Sequence, residues 1–579
     1  MQSADVIDGA QTLPFRNLEL NLILGSSRGR NARRRLTKIL EIQNYRFLIA
    51  AFLVPLALRA LPEIMAGPYP IGWDVVANYV PTTLDLTAGK VGSVELVGTS
   101  PLIYLLSAGI YSLTKINPFL VFKMMGPLLY GSMTLSLYRF LNRGLRWQSR
   151  TASLAVLFTS IYFVTLRISW DLFRTMLGLT FIFLAIPFFS GTRSSRNTIL
   201  LAILLVLAVA SEQLTAVIVL SIVAARVGAS LLRGTTSQSF PELSAGFPAL
   251  TLFILIVYSH WITDGPLVQL QPATPEIQPI LSSFGFFLFA YLPLLPFVIL
   301  GARRVPSTDL RVWCYSCIAG CLAAFLPFAG LAVPSYRWSL LLDIPLCVYA
   351  FLGLRIFFSG ARDFLPHMNF LRKRMMGISW IILGLSSLLY IGLPAQQALP
   401  FYAMVPSYMP SSMIQNTVPL ADMHNVQQAV YWISENVGPR DAVITHRAIY
   451  GWLRMFLPAA SNIIDYGYSS PVVGLEVAKR EGYLRAFLIW WVDGNGWDGQ
   501  KEVPSQFSVT FKIGNIAVFV SASSAASISP SAQAFPLEST ILECFHCAPL
   551  NLNPILDPVP FYLNKLDAPP APAQEEGST

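Results

Sequence analysis

The sequence predicts a polytopic α-helical membrane protein with a small α/β domain near its C-terminal end. Three observations predict it. Of 579 residues, 54% are hydrophobic and 12% charged, about half the charge fraction of a soluble domain. The apolar residues come in runs of membrane-spanning length without a one-sided pattern. After residue 397 the composition returns to ordinary soluble patterning. The net charge of +9 does not mark a nucleic-acid binder. Its Lys and Arg residues stand in short clusters between apolar runs, as in loops held on the cytoplasmic face.

Residues 1–45 form a polar arm with a basic cluster at Arg28, Arg30, Arg33, Arg34, Arg35 and Lys38. No cleavable signal is evident, so the arm reads as cytoplasmic. The first span covers about 46–66. It stops at Gly67-Pro68-Tyr69-Pro70-Ile71-Gly72-Trp73-Asp74, where two prolines and two glycines forbid a continuing helix. This opens a first external loop of about 67–116. Asp74 sits there between Trp73 and Tyr79, residues that favour headgroup depth.

Residues 98–114 are apolar but short. If they crossed, the cluster Arg139, Arg143, Arg146 and Arg150 would fall outside, so the charge rule assigns them to the interface. The second span is then about 117–141. The next nine follow at about 151–168, 174–190, 197–211, 214–232, 247–262, 281–301, 312–332, 339–357 and 375–395. That makes about 11 transmembrane helices, with the strong basic clusters on one side. Residues 46–397 form this membrane domain, and residues 398–522 an extracytoplasmic α/β domain. In the latter, residues 422–436 read as an amphipathic helix capped by Asp422. Residues 442–445, 487–491 and 516–520 read as strands. Residues 523–579 are a Ser/Pro/Ala-rich tail with disordered composition.

Four of the six cysteines, Cys314, Cys317, Cys321 and Cys347, lie in apolar runs as core filler. Cys544 and Cys547 lack the second pair of a structural zinc site.

Asp74 and Asp171 are separated by spans that return both to the external face, each beside a tryptophan. A charge at mid-bilayer costs about 2.5–3.5 kcal/mol, which explains acids at span ends. Two acids and an arginine at one interface suit glycosyl or phosphoryl transfer on a lipid-linked substrate. A carboxylate takes the acceptor proton, and a cation, Arg or metal, holds the leaving phosphate. Arg174 pairs with Asp171 at (i, i+3) if it acts locally, and Asp171 serves as the N-cap of the fourth span if it does not enter the site. Glu212 and His260 stand at external span ends. Lys123 either snorkels outward or meets a phosphate.

The layout of residues 46–360 resembles the GT-C superfamily of integral-membrane glycosyltransferases, which includes protein mannosyltransferases, aminoarabinose transferases and oligosaccharyltransferases. The matching residues are Gly72-Trp73-Asp74 with Tyr79, Ser100-Pro101-Leu102-Ile103-Tyr104, Asn117-Pro118-Phe119, Gly126-Pro127-Leu128-Leu129, Trp170-Asp171-Leu172-Phe173-Arg174 and Tyr336-Arg337-Trp338. The resemblance implies Asp74 as catalytic base or metal ligand, Asp171 as a second site acid, and Arg337 on the donor phosphate. Arg174 and Tyr79, within the matching motifs, and Glu212 and His260, from their place at external span ends, are the candidate substrate-site residues, and a divalent metal is left open. The implied partners are a polyprenyl-phosphate-linked sugar, an extracytoplasmic acceptor and membrane lipid, at the plasma membrane with a cytoplasmic N-terminus. The chain departs from the family in having Val75 where many members place a second acid. Trp490-Trp491-Val492-Asp493 matches the oligosaccharyltransferase acceptor motif only loosely. A flippase or transporter for lipid-linked sugars is the main alternative and predicts discontinuous helices at mid-membrane and two related halves, of which the sequence shows no sign. A membrane scaffold is the other, and it predicts no cavity joining Asp74 and Asp171.

Overall fold

One helix, Ser27–Met65, joins the basic arm to the first apolar run, so the second part of the arm is continuous with the span. This computed structural model describes residues 27–189, 194–264, 277–326, 335–364, 416–457, 462–492 and 503–521, small gaps apart, with fragments between them. The tail with Cys544 and Cys547 lies outside the described residues, and the span expected over 375–395 is described only in fragments.

Five described helices are long and apolar enough to cross a membrane: Tyr45–Met65, Pro118–Gly144, Gln213–Leu232, Phe240–Thr263 and Ser335–Phe358. Two further spans are broken. Ser149–Ile161 meets Phe163–Asp171 at 70°, and Phe284–Tyr291 meets Leu295–Ala302 at 71°. The spans expected over 151–168 and 281–301 are therefore bent. Tyr162 is extended at the first break (φ −72°, ψ 134°), and Pro293 stands at the second, where it cannot continue a helix. The breaks touch, because the Tyr162 hydroxyl donates to the Ala290 carbonyl. Phe173–Phe189 and Ser195–Ser211 have 17 residues each, about 26 Å at ~1.5 Å per residue, a little short of the ~30 Å hydrocarbon core. Thr308–Ala323 occupies part of the expected ninth span.

Gly67 ends the first helix in the left-handed region at φ +64°, where glycine carries no Cβ penalty. The loop beyond is folded. A π-helical turn, Val75–Tyr79, leads into Val80–Thr87, followed by Ser93–Gly98 and Leu102–Thr114. The last has 13 residues, about 20 Å, too short to cross. The chain re-enters at Asn117, whose side chain accepts from the Phe119 amide at 2.8 Å, with Pro118 opening the helix Pro118–Arg139.

The second part of the fold is a five-stranded sheet: β1 (Asp441–Thr445), β2 (Asn462–Asp465), β3 (Arg485–Trp491), β4 (Phe507–Ile513) and β5 (Ile516–Ser521). The order is β2-β1-β3-β5-β4. β1 runs parallel to β2 and β3, and β5 runs antiparallel to β3 and β4. β1, β3 and β5 are the strands expected from sequence. Helices Leu420–Asn436, Arg447–Phe456 and Pro471–Arg480 cover the sheet. Asp422 does not cap its helix. Pro419 holds that position, and Asp422, inside the first turn, accepts the Trp491 indole N–H at 3.0 Å. Trp490 and Trp491 are buried core of β3, so these letters arise from an apolar strand.

This domain seats on the first loop. A Cβ on Gly451 would lie 1.7 Å from the Val76 carbonyl oxygen, so helix Arg447–Phe456 touches the backbone of the π turn. Trp452 packs on Tyr69 and Phe119, each with ring centroids 5.2 Å apart. Arg454 pairs with Asp85, and the Gly72 amide donates to Asn416 Oδ1 at 2.7 Å.

Candidate active site

Asp74 immediately precedes the π turn. Its carboxylate accepts from Asn78 Nδ2 at 2.9 Å through Oδ1 and faces Arg337 Nη2 at 3.4 Å through Oδ2. The Asp74 side chain is 11% exposed and that of Arg337 25%, so the pair is sheltered but reachable. Asn78 in turn accepts from Arg447 Nη2 at 3.1 Å, and Arg447 Nη1 reaches Asp465 at 2.8 Å. The soluble domain thereby buttresses the residue that buttresses Asp74. A π turn widens the helix locally and recurs at functional sites. Here it directs Val75–Tyr79 into the bundle while Asp74 stays at the rim.

Asp171 is brought against the same turn. Gly72 has φ +100°, and a Cβ there would meet the Asp171 Cβ at 2.7 Å and the Trp170 carbonyl at 3.0 Å. The Asp171 carboxylate is engaged by Arg167 Nη1 at 2.5 Å in an (i, i+4) pair with both side chains 2% exposed. Asp171 is the last residue of helix Phe163–Asp171 and is not the N-cap of the next span. Arg174 does not pair with it. Its guanidinium donates to the Thr99 carbonyl at 2.8 Å, tying the next helix to the turn before Leu102–Thr114. An α-helical (i, i+3) pairing required one helix through 171–174, and the chain breaks at Leu172 (φ −86°, ψ 59°).

Glu212 lies between Ser195–Ser211 and Gln213–Leu232. Its Oε1 accepts from the Thr175 hydroxyl at 2.7 Å, and its Oε2 is buried with no hydrogen-bond donor among the described residues. Burial pushes its carboxyl above the usual range, against the Thr175 hydrogen bond and the charges of Arg337 and Arg174. The Tyr79 phenol is likewise raised, first by burial and then by Asp74. Its ring stacks on Phe122 and Phe173, with centroids 5.6 Å away in each case. Asp74 and Arg337 are in contact, Asp171 packs against Gly72 two residues before Asp74, and Tyr79 stacks on Phe173, next to the Arg174 and Thr175 that reach Thr99 and Glu212. His260 is placed by its backbone, 3.0 Å from where a Gly98 Cβ would stand, next to the Thr99 that receives Arg174.

Several residues were not singled out in the sequence. Arg167 and Asn78 stand four positions from the aspartates they contact, a helical spacing that is legible in retrospect. Arg59 and Glu63 form a second buried pair at 2.8 Å, and Arg59 also donates to the Ser169 and Trp170 carbonyls at 2.7 and 2.9 Å. Lys123 turns onto this pair. It donates to the carbonyls of Glu63 and Tyr69, and its ammonium is 3.6 Å from the Glu63 carboxylate. These cations hold the two strands of chain that deliver Asp74 and Asp171. Among the described residues no three His, Cys, Asp or Glu side chains form a metal cage.

No protein-family model matches the chain, and no curated protein does. Among solved structures it is similar to the crystal structure of ArnT from Cupriavidus metallidurans in the apo state. The TM-score is 0.45 at 11% identity, over 84% of this chain and 98% of that one.

Proposed function

We propose that the chain is a GT-C-like glycosyltransferase that moves a sugar from a polyprenyl-phosphate carrier to an external acceptor. The observation that carries this reading is the Asp74–Arg337 pair at 3.4 Å, a base and a phosphate-binding cation 263 residues apart in sequence. The donor phosphate draws Arg337 away from Asp74, which frees the carboxylate. Asp74 then takes the proton of an acceptor hydroxyl. The acceptor oxygen bonds the anomeric carbon as the bond from that carbon to the phosphate oxygen breaks. The departing phosphate keeps the electron pair, and Arg337 and Arg174 stabilise its charge. Glu212 Oε2 accepts a sugar hydroxyl.

Asp171, enclosed by Arg167, positions the Gly72 turn without touching substrate. Two carboxylates that each face an arginine do not make a ready metal site, so no step is routed through a metal. The test is a transfer assay of purified protein against defined polyprenyl-phosphate sugars, with and without chelator. Transfer unaffected by chelator keeps Asp74 as base. Loss on chelation and recovery with a divalent ion reassigns it as a ligand, and no transfer from any donor overturns the reading.

A flippase is favoured by one observation, the two broken helices in contact at Tyr162 and Ala290. Discontinuous helices recur in transporters. Proteoliposomes that move labelled donor across the bilayer without consuming it would establish that reading instead.

A further inference from the structure

The Asp74 carboxylate has one side-chain contact on each oxygen among the described residues: Asn78 Nδ2 on Oδ1 at 2.9 Å and Arg337 Nη2 on Oδ2 at 3.4 Å. In the proposed reaction the donor phosphate draws Arg337 off Oδ2. The Asn78 contact is then the one that still fixes the direction of the carboxylate. A hydrogen bond to an ionised acceptor is roughly twice as strong as a neutral one, so a single amide suffices to hold it.

An amide has two ends, and the soluble domain sets which end faces Asp74. Arg447 opens the helix Arg447–Phe456, and its Nη2 donates to Asn78 Oδ1 at 3.1 Å. A guanidinium has only donors and a carboxylate only acceptors. The Asn78 oxygen must therefore face Arg447, and its NH2 must face Asp74. The reverse orientation would set NH2 against a guanidinium and oxygen against a carboxylate. The cation on the amide oxygen also polarises the N–H that reaches Asp74. Arg447 is itself fixed. Asp465, at the end of β2, accepts from Arg447 Nη1 at 2.8 Å and from the Gly467 amide at 2.8 Å. The guanidinium also lies 5.3 Å from the Tyr450 ring centroid.

We propose that Asn78 is a positioning residue: it retains Asp74 Oδ1, so that Oδ2, released by Arg337, is the oxygen that takes the acceptor proton. This rests on the reading of Asp74 as base. The experiment compares purified full-length wild type, Asn78→Ala, Asn78→Asp, Arg447→Gln and the double variant Asn78→Ala with Arg447→Gln. It measures kcat and donor KM against a panel of defined polyprenyl-phosphate sugars. In Asn78→Ala kcat falls by on the order of 10²-fold at unchanged donor KM, because a misaimed carboxylate slows transfer and leaves phosphate binding alone. Asn78→Asp falls as far, although it keeps the size of the side chain and still accepts from Arg447. Arg447→Gln falls less, and the double variant falls no further than Asn78→Ala, because both act through one contact. Asn78 is half-buried and the Arg447 side chain 35% exposed. The near-isosteric Asn78→Asp carries the test where the alanine variant does not fold. Wild-type kcat in Asn78→Asp, a raised KM at unchanged kcat, or additive losses in the double variant overturns the proposal and leaves the base reading standing. Donor consumption by no protein, wild type included, overturns the base reading and the proposal with it.

Discussion

At the scale of single residues the proposed site is a set of charges with different exposure, and exposure sorts their roles. Arg337 is reachable from water and holds Asp74 through one 3.4 Å contact, a geometry that a phosphate can displace. Arg337→Gln is expected to lower kcat/KM by on the order of 10²-fold, as loss of one preorganised donor does. Arg337→Lys, which keeps the charge but loses the fork, recovers part of it. Steady-state kinetics with a lipid-linked donor check this. Asp171 is different, because its partner Arg167 is equally buried. Removing one member of a buried pair strands the other, at about 3–5 kcal/mol, whereas replacing both with apolar residues is often near neutral. Asp171→Asn is therefore expected to melt at lower temperature than Arg167→Met with Asp171→Leu.

Asp74 drew attention in the sequence because it stands beside tryptophan at the end of an apolar run, and Arg337 only through the resemblance to the GT-C superfamily. Arg167, Arg59 and Glu63 were less legible. They lie inside runs, where a membrane charge is read as an exception until its partner is seen, although both pairs have helical spacing.

At the scale of elements, the close contact between helix Arg447–Phe456 and the π turn sets Asp74 in place. Gly451→Ala forces a Cβ into the Val76 carbonyl. Overpacking of this kind costs about 1–3 kcal/mol, and it is expected to loosen the domain from the loop. Limited proteolysis between residues 386 and 416 measures this as faster cleavage. Unchanged cleavage and activity would show that the contact is dispensable.

The short helix at 102–114 was legible from its apolar run, and its place at the interface is the expectation that charge bias sets. The 70° break at Tyr162 was not legible, since neither proline nor glycine marks it, and the Ala290 carbonyl that its hydroxyl meets lies 128 residues away in sequence. β2 and β4 were missed for a related reason. One is four residues long and the other carries mostly exposed side chains, so neither shows an apolar run.

At the scale of the whole molecule, the chain is a helical membrane domain with an α/β domain seated on its first loop. Whether Asp74 faces outward rests on the distribution of arginine. Cysteine labelling from outside intact cells is expected to reach a cysteine at position 90 in the first loop and to miss one at position 146. Labelling both from the same side would break the topology. The central claim is that Asp74 acts on a lipid-linked sugar. Asp74→Asn preserves shape and the Asn78 contact while removing the charge. Transfer from a polyprenyl-phosphate sugar by well-folded Asp74→Asn protein is expected to fall by about 10²–10⁴-fold, and transfer at the wild-type rate would contradict the account.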